Sequence, residues 1–269
     1  MAQDIHNKSL ENSLRQEGND FIFSDVHYNG EVISEVRLLG KLMDNDSNKT
    51  HDRWRQYCRK HPEVNILTSE MAYQLERRLY ALRDVSDSTV QQARDSCLAL
   101  LYKNYIRNYS HTGTKITYLQ GLDTVVNHLE PQGKERTFSP QIPEFRCYDK
   151  DWSYLVLAKE QPESVLGEVK DIPASARPVL KALFGEGYEQ AGAVWQFVSS
   201  KTNKFVSSKT NTNLREVRLW TPTARNRDIE CCVIFGVNGI DYSFSIYANV
   251  PSSNYWLARG WVSNPVGRG

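Results

Sequence analysis

The stretch DWSYLVLAKEQPESVLGEVKD (Asp151–Asp171) reads as two strands joined by a short polar turn. WSYLVLA (Trp152–Ala158) is rich in aromatic and β-branched residues, the types that fit a pleated surface. SVLGEVK (Ser164–Lys170) has the same character, and KEQPE between them supplies the turn. The expectation is a central strand over 164–170, antiparallel to 152–158. Side chains alternate along a strand with period two, so Glu168 and Lys170 share a face. Pro173 and Pro178 then break the chain before a helical stretch, which resumes after Gly187 as YEQAGAVWQFVSS. Farther on, DIECCVIFGVNGIDYSFSIYANV (Asp228–Val250) reads as a hairpin, because Asn238-Gly239 is a strong turn signal. WLARGWV (Trp256–Val262) adds a strand or an extended tail.

Upstream, the pattern turns helical. Met1–Asp20 is a polar lead-in with room for a short surface helix. Val32, Val36, Leu39 and Leu42 fall at helical spacing between Gly30 and Met43. HDRWRQYCRKH (His51–His61) interleaves cations and aromatics. That fits an amphipathic helix with a solvated basic side better than a nucleic-acid face. In the next helix Met71, Leu75, Leu79 and Leu82 make one stripe, with Thr68 or Ser69 as cap. The following one has capping-box spacing at Ser88 and Gln91. Residues 110–142 read as loop and short elements. The fold class is therefore α/β, with a helix-rich region over 1–142 and a strand-rich core over 143–269. The two can also form one continuous domain.

An octapeptide is duplicated, FVSSKTNK (Phe197–Lys204) and FVSSKTNT (Phe205–Thr212). One duplication is too short for a solenoid, and its polar content suits a lengthened surface loop between a helix and a strand.

Hydrolysis of a phosphodiester by Mg²⁺ or Mn²⁺ needs hard oxygen ligands held close together. The metal lowers the pKa of a bound water, and a nearby lysine orients that water and steadies the developing negative charge. Glu168 with Lys170 meets that requirement when a second carboxylate stands on the neighbouring strand. Asp151 is the first choice for it, with Asp149 and Glu144 as alternatives.

On these residues the chain resembles the PD-(D/E)xK nuclease superfamily over about 143–250. The resemblance implies a restriction-endonuclease-like mixed sheet flanked by helices. It also implies metal held by Asp151 and Glu168, a catalytic Lys170, and a supporting Gln190, or less well Gln196, on the following helix. DNA or RNA would be the substrate. The family's Pro-Asp pair is absent, since Asp151 follows Lys150. The alternative reading is a non-enzymatic structural or interaction protein, self-assembling or with a decayed nuclease fold. For that reading stand the incomplete motif, the near-neutral charge, and the 14 Tyr and 6 Trp available for contacts.

The bulk composition excludes several classes. Lys plus Arg (33) nearly cancel Asp plus Glu (32) over 269 residues, so any electrostatic site is local. Five cysteines without CxxC spacing read as reduced core thiols. His27, His51, His61, His111 and His128 are scattered without metal-binding spacing. No GxSxG, GxxxxGK[ST] or GxGxxG occurs. The polar N-terminus and the lack of a long apolar run lead to the expectation of an intracellular protein without signal peptide, membrane span or membrane partner.

Overall fold

The computed structural model describes residues 13–107, 110–143, 145–160, 166–168, 172–206, 216–223, 227–238, 243–254 and 257–263. Among the described residues, two sheets and five α-helices make up an α/β fold.

The smaller sheet is antiparallel. Strands β1 (Leu14–Glu17), β2 (Asp20–Tyr28) and β3 (Glu31–Leu42) are followed by β4 (Asn65–Ile66), and β14 (Arg259–Ser263) inserts between β3 and β4. The helix expected over 30–43 is therefore a strand. Asn29 and Gly30 both have positive φ, 55° and 73°, and form the tight turn of the β2–β3 hairpin. That hairpin pairs Phe21 with Leu38 and Phe23 with Val36, all four buried. Pairing with a neighbour overrode a spacing that isolated helix geometry also fits.

Between these strands and the larger sheet run α1 (His51–Lys60), α2 (Ser69–Ala81) and α3 (Ser88–Arg107). Helix α1 buries His51, Trp54 and Cys58 and leaves Arg53, Arg59 and Lys60 exposed, as expected of an amphipathic helix. Thr68 caps α2 by accepting the Met71 N–H. At α3 the cap is Asp87, which accepts the Thr89 and Val90 N–H groups. Gln91 instead donates to the Val85 carbonyl, so the Ser88–Gln91 box is not used.

The larger sheet is mixed. It runs β10 (Leu166–Glu168), β9 (Trp152–Glu160), β11 (Glu216–Pro222), β13 (Ser243–Pro251), β12 (Ile229–Asn238), β5 (Ser110–Tyr118), β6 (Thr124–Leu129) and β7 (Glu135–Phe138). Strand β8 (Arg146–Cys147) pairs with β9, and only β11–β13 is parallel. Residues 110–142, read as loop, supply the β5–β6–β7 meander. They share this sheet with strands after residue 143, and β14 returns to the first sheet. Strands from both sides of the 142/143 boundary therefore share each sheet.

Helices α4 (Arg177–Phe184) and α5 (Ala191–Val206) join α2 and α3 over one face of the larger sheet. Trp195 of α5 sits at the centre of this core, against Tyr73, Phe184, Phe235 and Phe244, and its Nε1 donates to buried Glu76 at 2.6 Å. The first octapeptide copy belongs to α5, with Phe197 and Val198 buried, so it is helix rather than loop. The second copy lies largely outside the described residues.

The expected hairpin over 228–250 is present as β12 and β13, although its Gly239 lies outside the described residues. Four cysteines are buried, but Cys147 is exposed.

Candidate functional site

The backbone register sets Glu168 and Asp151 apart along β9. Strand β10 pairs antiparallel with β9, as expected, but it is a three-residue strand at the sheet's edge rather than a central one. The register places Glu168 opposite Ala158. Asp151 precedes the far end of β9, so it lies about 23 Å along the strand at roughly 3.3 Å per residue. An Mg²⁺ ion takes oxygens at about 2.0–2.1 Å, a span far shorter than this backbone separation. Asp149 is at that same far end. Its Oδ1 accepts the N–H groups of Asp151 and Trp152, closing the β8–β9 turn. Glu144 and Lys170 lie outside the described residues. Among the described residues, no group of three or more His, Cys, Asp or Glu is placed to hold a metal ion.

Gln190 sits elsewhere. It ends the short 3₁₀ turn Tyr188–Gln190, and its Oε1 accepts from Arg77 Nε at 3.3 Å. Together with His27 of β2 and Gln74, Arg77, Arg78 and Arg83 of the α2 region, it lines a cleft of about 340 Å³. Among the described residues, no carboxylate lines this cleft. Gln74 is buried and donates through Nε2 to the carbonyls of Phe184 and Glu186. That fixes its Oε1 towards Arg77 NH1, at 3.3 Å. The nearby Gly187 has φ +76°, and a Cβ there would lie 2.5 Å from the Arg77 guanidinium carbon. The sequence carried Gln190 as a supporting residue, but gave no sign of the arginines, because their meeting requires β2, α2 and the 188–190 turn to pack together.

A second concentration of side chains lies on the large sheet, opposite its helix-covered face. Tyr154, Trp220 and Tyr247 occupy matched positions on β9, β11 and β13. The alternating residues Leu155, Leu219 and Ile246 point into the core. Tyr154 and Trp220 have ring centroids 5.0 Å apart, and Trp220 stacks on Tyr247 at 6.3 Å. Arg218 lies 4.8 Å over Tyr154, Arg146 lies 5.7 Å over it, and Tyr148 meets Trp220 edge-on at 5.2 Å. These partners keep Tyr154 and Trp220 buried, whereas Tyr148 is 63% exposed and Trp152 37%. A paired cation over an aromatic face contributes about 0.5–1 kcal/mol at such sites. The cluster holds the sheet's end together and presents two flat rings to solvent.

A Ser–Thr–His chain lies in the interior. Ser69 Oγ contacts Thr114 Oγ1 at 3.0 Å, and Thr114 Oγ1 contacts His128 Nδ1 at 2.7 Å. His128 Nε2 reaches the Ala182 carbonyl at 2.7 Å, while Ser69 Oγ donates to the Leu183 carbonyl. All three residues are fully buried, and burial pushes the His128 imidazole down to about 3. With every polar atom engaged and no access for a substrate, the chain joins α2 and α4 to the sheet rather than activating a nucleophile.

No family model matches the chain, and neither does any curated protein or solved structure. No helix among the described residues is long and apolar enough to cross a membrane.

Proposed function

We propose that the chain is a non-enzymatic interaction protein that binds single-stranded nucleic acid on the aromatic end of its large sheet. The observation that carries this reading is the exposure of Tyr148 and Trp152 beside Arg146, over a ladder of buried Tyr154 and Trp220 and half-buried Tyr247. Bases stack on aromatic rings irrespective of sequence, and each stack contributes about 1–3 kcal/mol. A sheet face with aromatics at matched positions is a rigid platform for that contact. The surrounding charge is balanced, with Arg146, Lys150 and Arg218 against Asp149, Asp151 and Glu216. Stacking rather than phosphate attraction then supplies most of the affinity, and the salt dependence is shallow.

The test is fluorescence anisotropy with labelled single-stranded DNA and RNA, alongside the double variant Tyr148→Ala, Trp152→Ala. Binding that weakens tenfold or more in the variant supports the platform. Absence of binding, or equal binding by the variant, removes it. Metal-dependent cleavage of either strand, lost in Glu168→Ala, would restore the nuclease reading with a different first ligand.

A further inference from the structure

We infer that the cleft lined by His27, Gln74, Arg77, Arg78, Arg83 and Gln190 is a binding site for a phosphate group. This stands on observations separate from the sheet platform. The cleft is built on β2, α2 and the turn before α5, none of which carries the exposed rings.

Three arginines converge there, and what holds each of them is mainly neutral. Arg77 donates to the side-chain oxygens of Gln190 and Gln74 and to the Glu186 carbonyl, all at 3.3 Å. Arg78 donates through NH2 to the Ser24 carbonyl at 2.8 Å. Arg83 lies 4.3 Å over the Tyr80 ring and donates to the Tyr80 carbonyl. Such acceptors orient a guanidinium without cancelling its charge. Two carboxylates act on these arginines: Asp84, 82% exposed and paired with Arg83 at 3.2 Å, and Asp25, which favours the Arg78 charge without forming an ion pair. Arg77 and Arg78 make no ion pair with any described residue.

Donors are left over. A guanidinium carries five N–H groups. No hydrogen bond within the described residues uses Arg77 NH2, Arg78 Nε or Arg78 NH1. Burial above all, and the neighbouring Arg77, act against the charge on Arg78 and outweigh Asp25, so an anion in the cleft would offset that cost. Phosphate suits the site better than carboxylate. It brings three or more acceptor oxygens and up to two charges to several forked donors at once. The volume, about 340 Å³, admits a phosphate with a small organic substituent as well as the free ion.

The positioning has a visible cause. Buried Gln74 spends its amide N–H groups on the end of α4, which leaves its oxygen for Arg77. Gly187 leaves the space that the Arg77 guanidinium fills. Both features fix a cation at the surface, where an unrestrained arginine would sample many rotamers.

Isothermal titration calorimetry at low ionic strength, with inorganic phosphate and separately with a nucleoside monophosphate, tests the assignment. We expect saturable one-to-one phosphate binding that weakens at least tenfold in Arg77→Met and in Gln190→Ala. The control Arg59→Met, an exposed arginine of α1, should bind as the wild type does. Equal affinities for the two probes identify the phosphate moiety alone as the ligand, and tighter nucleoside monophosphate binding identifies a nucleotide. Thermal melts of each variant without ligand separate loss of the site from loss of the fold. Gln190 is exposed, so its variant keeps the test open if Arg77→Met melts early. No binding of either probe to the wild type would overturn the inference, as would unchanged binding by folded Arg77→Met.

Discussion

Arg136 packs against the start of helix α2 and Arg77 stands on its second half, and their surroundings are opposite. Arg136 bridges Glu70 and Glu130, donates to Asn29, and lies 5.0 Å over the Tyr28 ring. Tyr28 donates to Glu130 at 2.8 Å, and Glu70 accepts the Asn29 N–H. Both carboxylates meet its charge, at side-chain exposures of 5–16%, although its Nε is buried without a hydrogen-bond partner among the described residues. Arg77 has comparable numbers of bonds but only neutral acceptors. An arginine between two carboxylates ties β2, α2 and β7 together. An arginine held by amides and carbonyls is aimed but unsatisfied, which is the state a binding site needs before its ligand arrives.

The largest effect should come from breaking the first of these. Arg136→Met leaves Glu70 and Glu130 facing each other in a nearly dry site. Removing one member of such a pair typically costs about 3–5 kcal/mol. Urea unfolding should show that loss in midpoint with little change in slope. A loss below about 1 kcal/mol would mean that Arg136 is less enclosed than its geometry indicates, and would blur its contrast with Arg77.

Acid should act next, and on the interior rather than the cleft. His128 is held neutral, with its folded pKa lowered by burial from 6.5 to about 3. The unfolded chain therefore binds this proton first, and stability falls as pH drops from 6.5 towards 3. Glu135 is held down to about 2 by the adjacent His51 and by Arg55, so its contribution, complete above 4.5, is lost between 4.5 and 2. Glu130 opposes this weakly, because burial raises its pKa and protonation relieves that cost. The sum is a decline that begins near pH 6.5. His111, pushed down by burial from 6.5 to about 4, contributes to the same decline, so His128→Gln should make it shallower while leaving its start near pH 6.5. A wild-type profile flat from pH 7 to 4 would contradict the buried-neutral assignment.

The sequence made these regions legible to different degrees. Elements with a strong local signature came through, such as α1 with its buried Trp54 and Cys58, α2 with its Thr68 cap, and the β9–β10 and β12–β13 pairings. The β2–β3 hairpin was missed although Asn29-Gly30 carries the same signal as Asn238-Gly239. Four apolar residues at helical spacing outweighed it, and in the fold β14, from the far end of the chain, completes that sheet. The β5–β7 meander has little amphipathic pattern, because α1 covers part of its outer side around Leu129. The proposed metal pair depended on register, which the pattern does not carry: adjacency of two strands says nothing about which ends meet. The arginine cleft was invisible because its members come from residues 27, 74–83 and 190, with no spacing to read.

The smallest effect on stability should come from Arg77→Met, and it carries the most information about the comparison. Arg77 makes three hydrogen bonds to neutral oxygens, each long at 3.3 Å, and its loss leaves Gln74 still bonded to the end of α4. It also removes a positive charge beside Arg78, whose own charge is disfavoured by burial and by Arg77. The two consequences oppose each other, so without ligand the variant should unfold within about 0.5 kcal/mol of the wild type, as surface changes usually do. With phosphate present the two should separate. A ligand that binds only the folded state stabilises it by about 2.7 kcal/mol at a hundred times its dissociation constant. The wild type should gain stability in that manner, and the variant should gain little. A variant that loses several kcal/mol without ligand would place Arg77 with Arg136, as a tie between elements rather than a waiting cation.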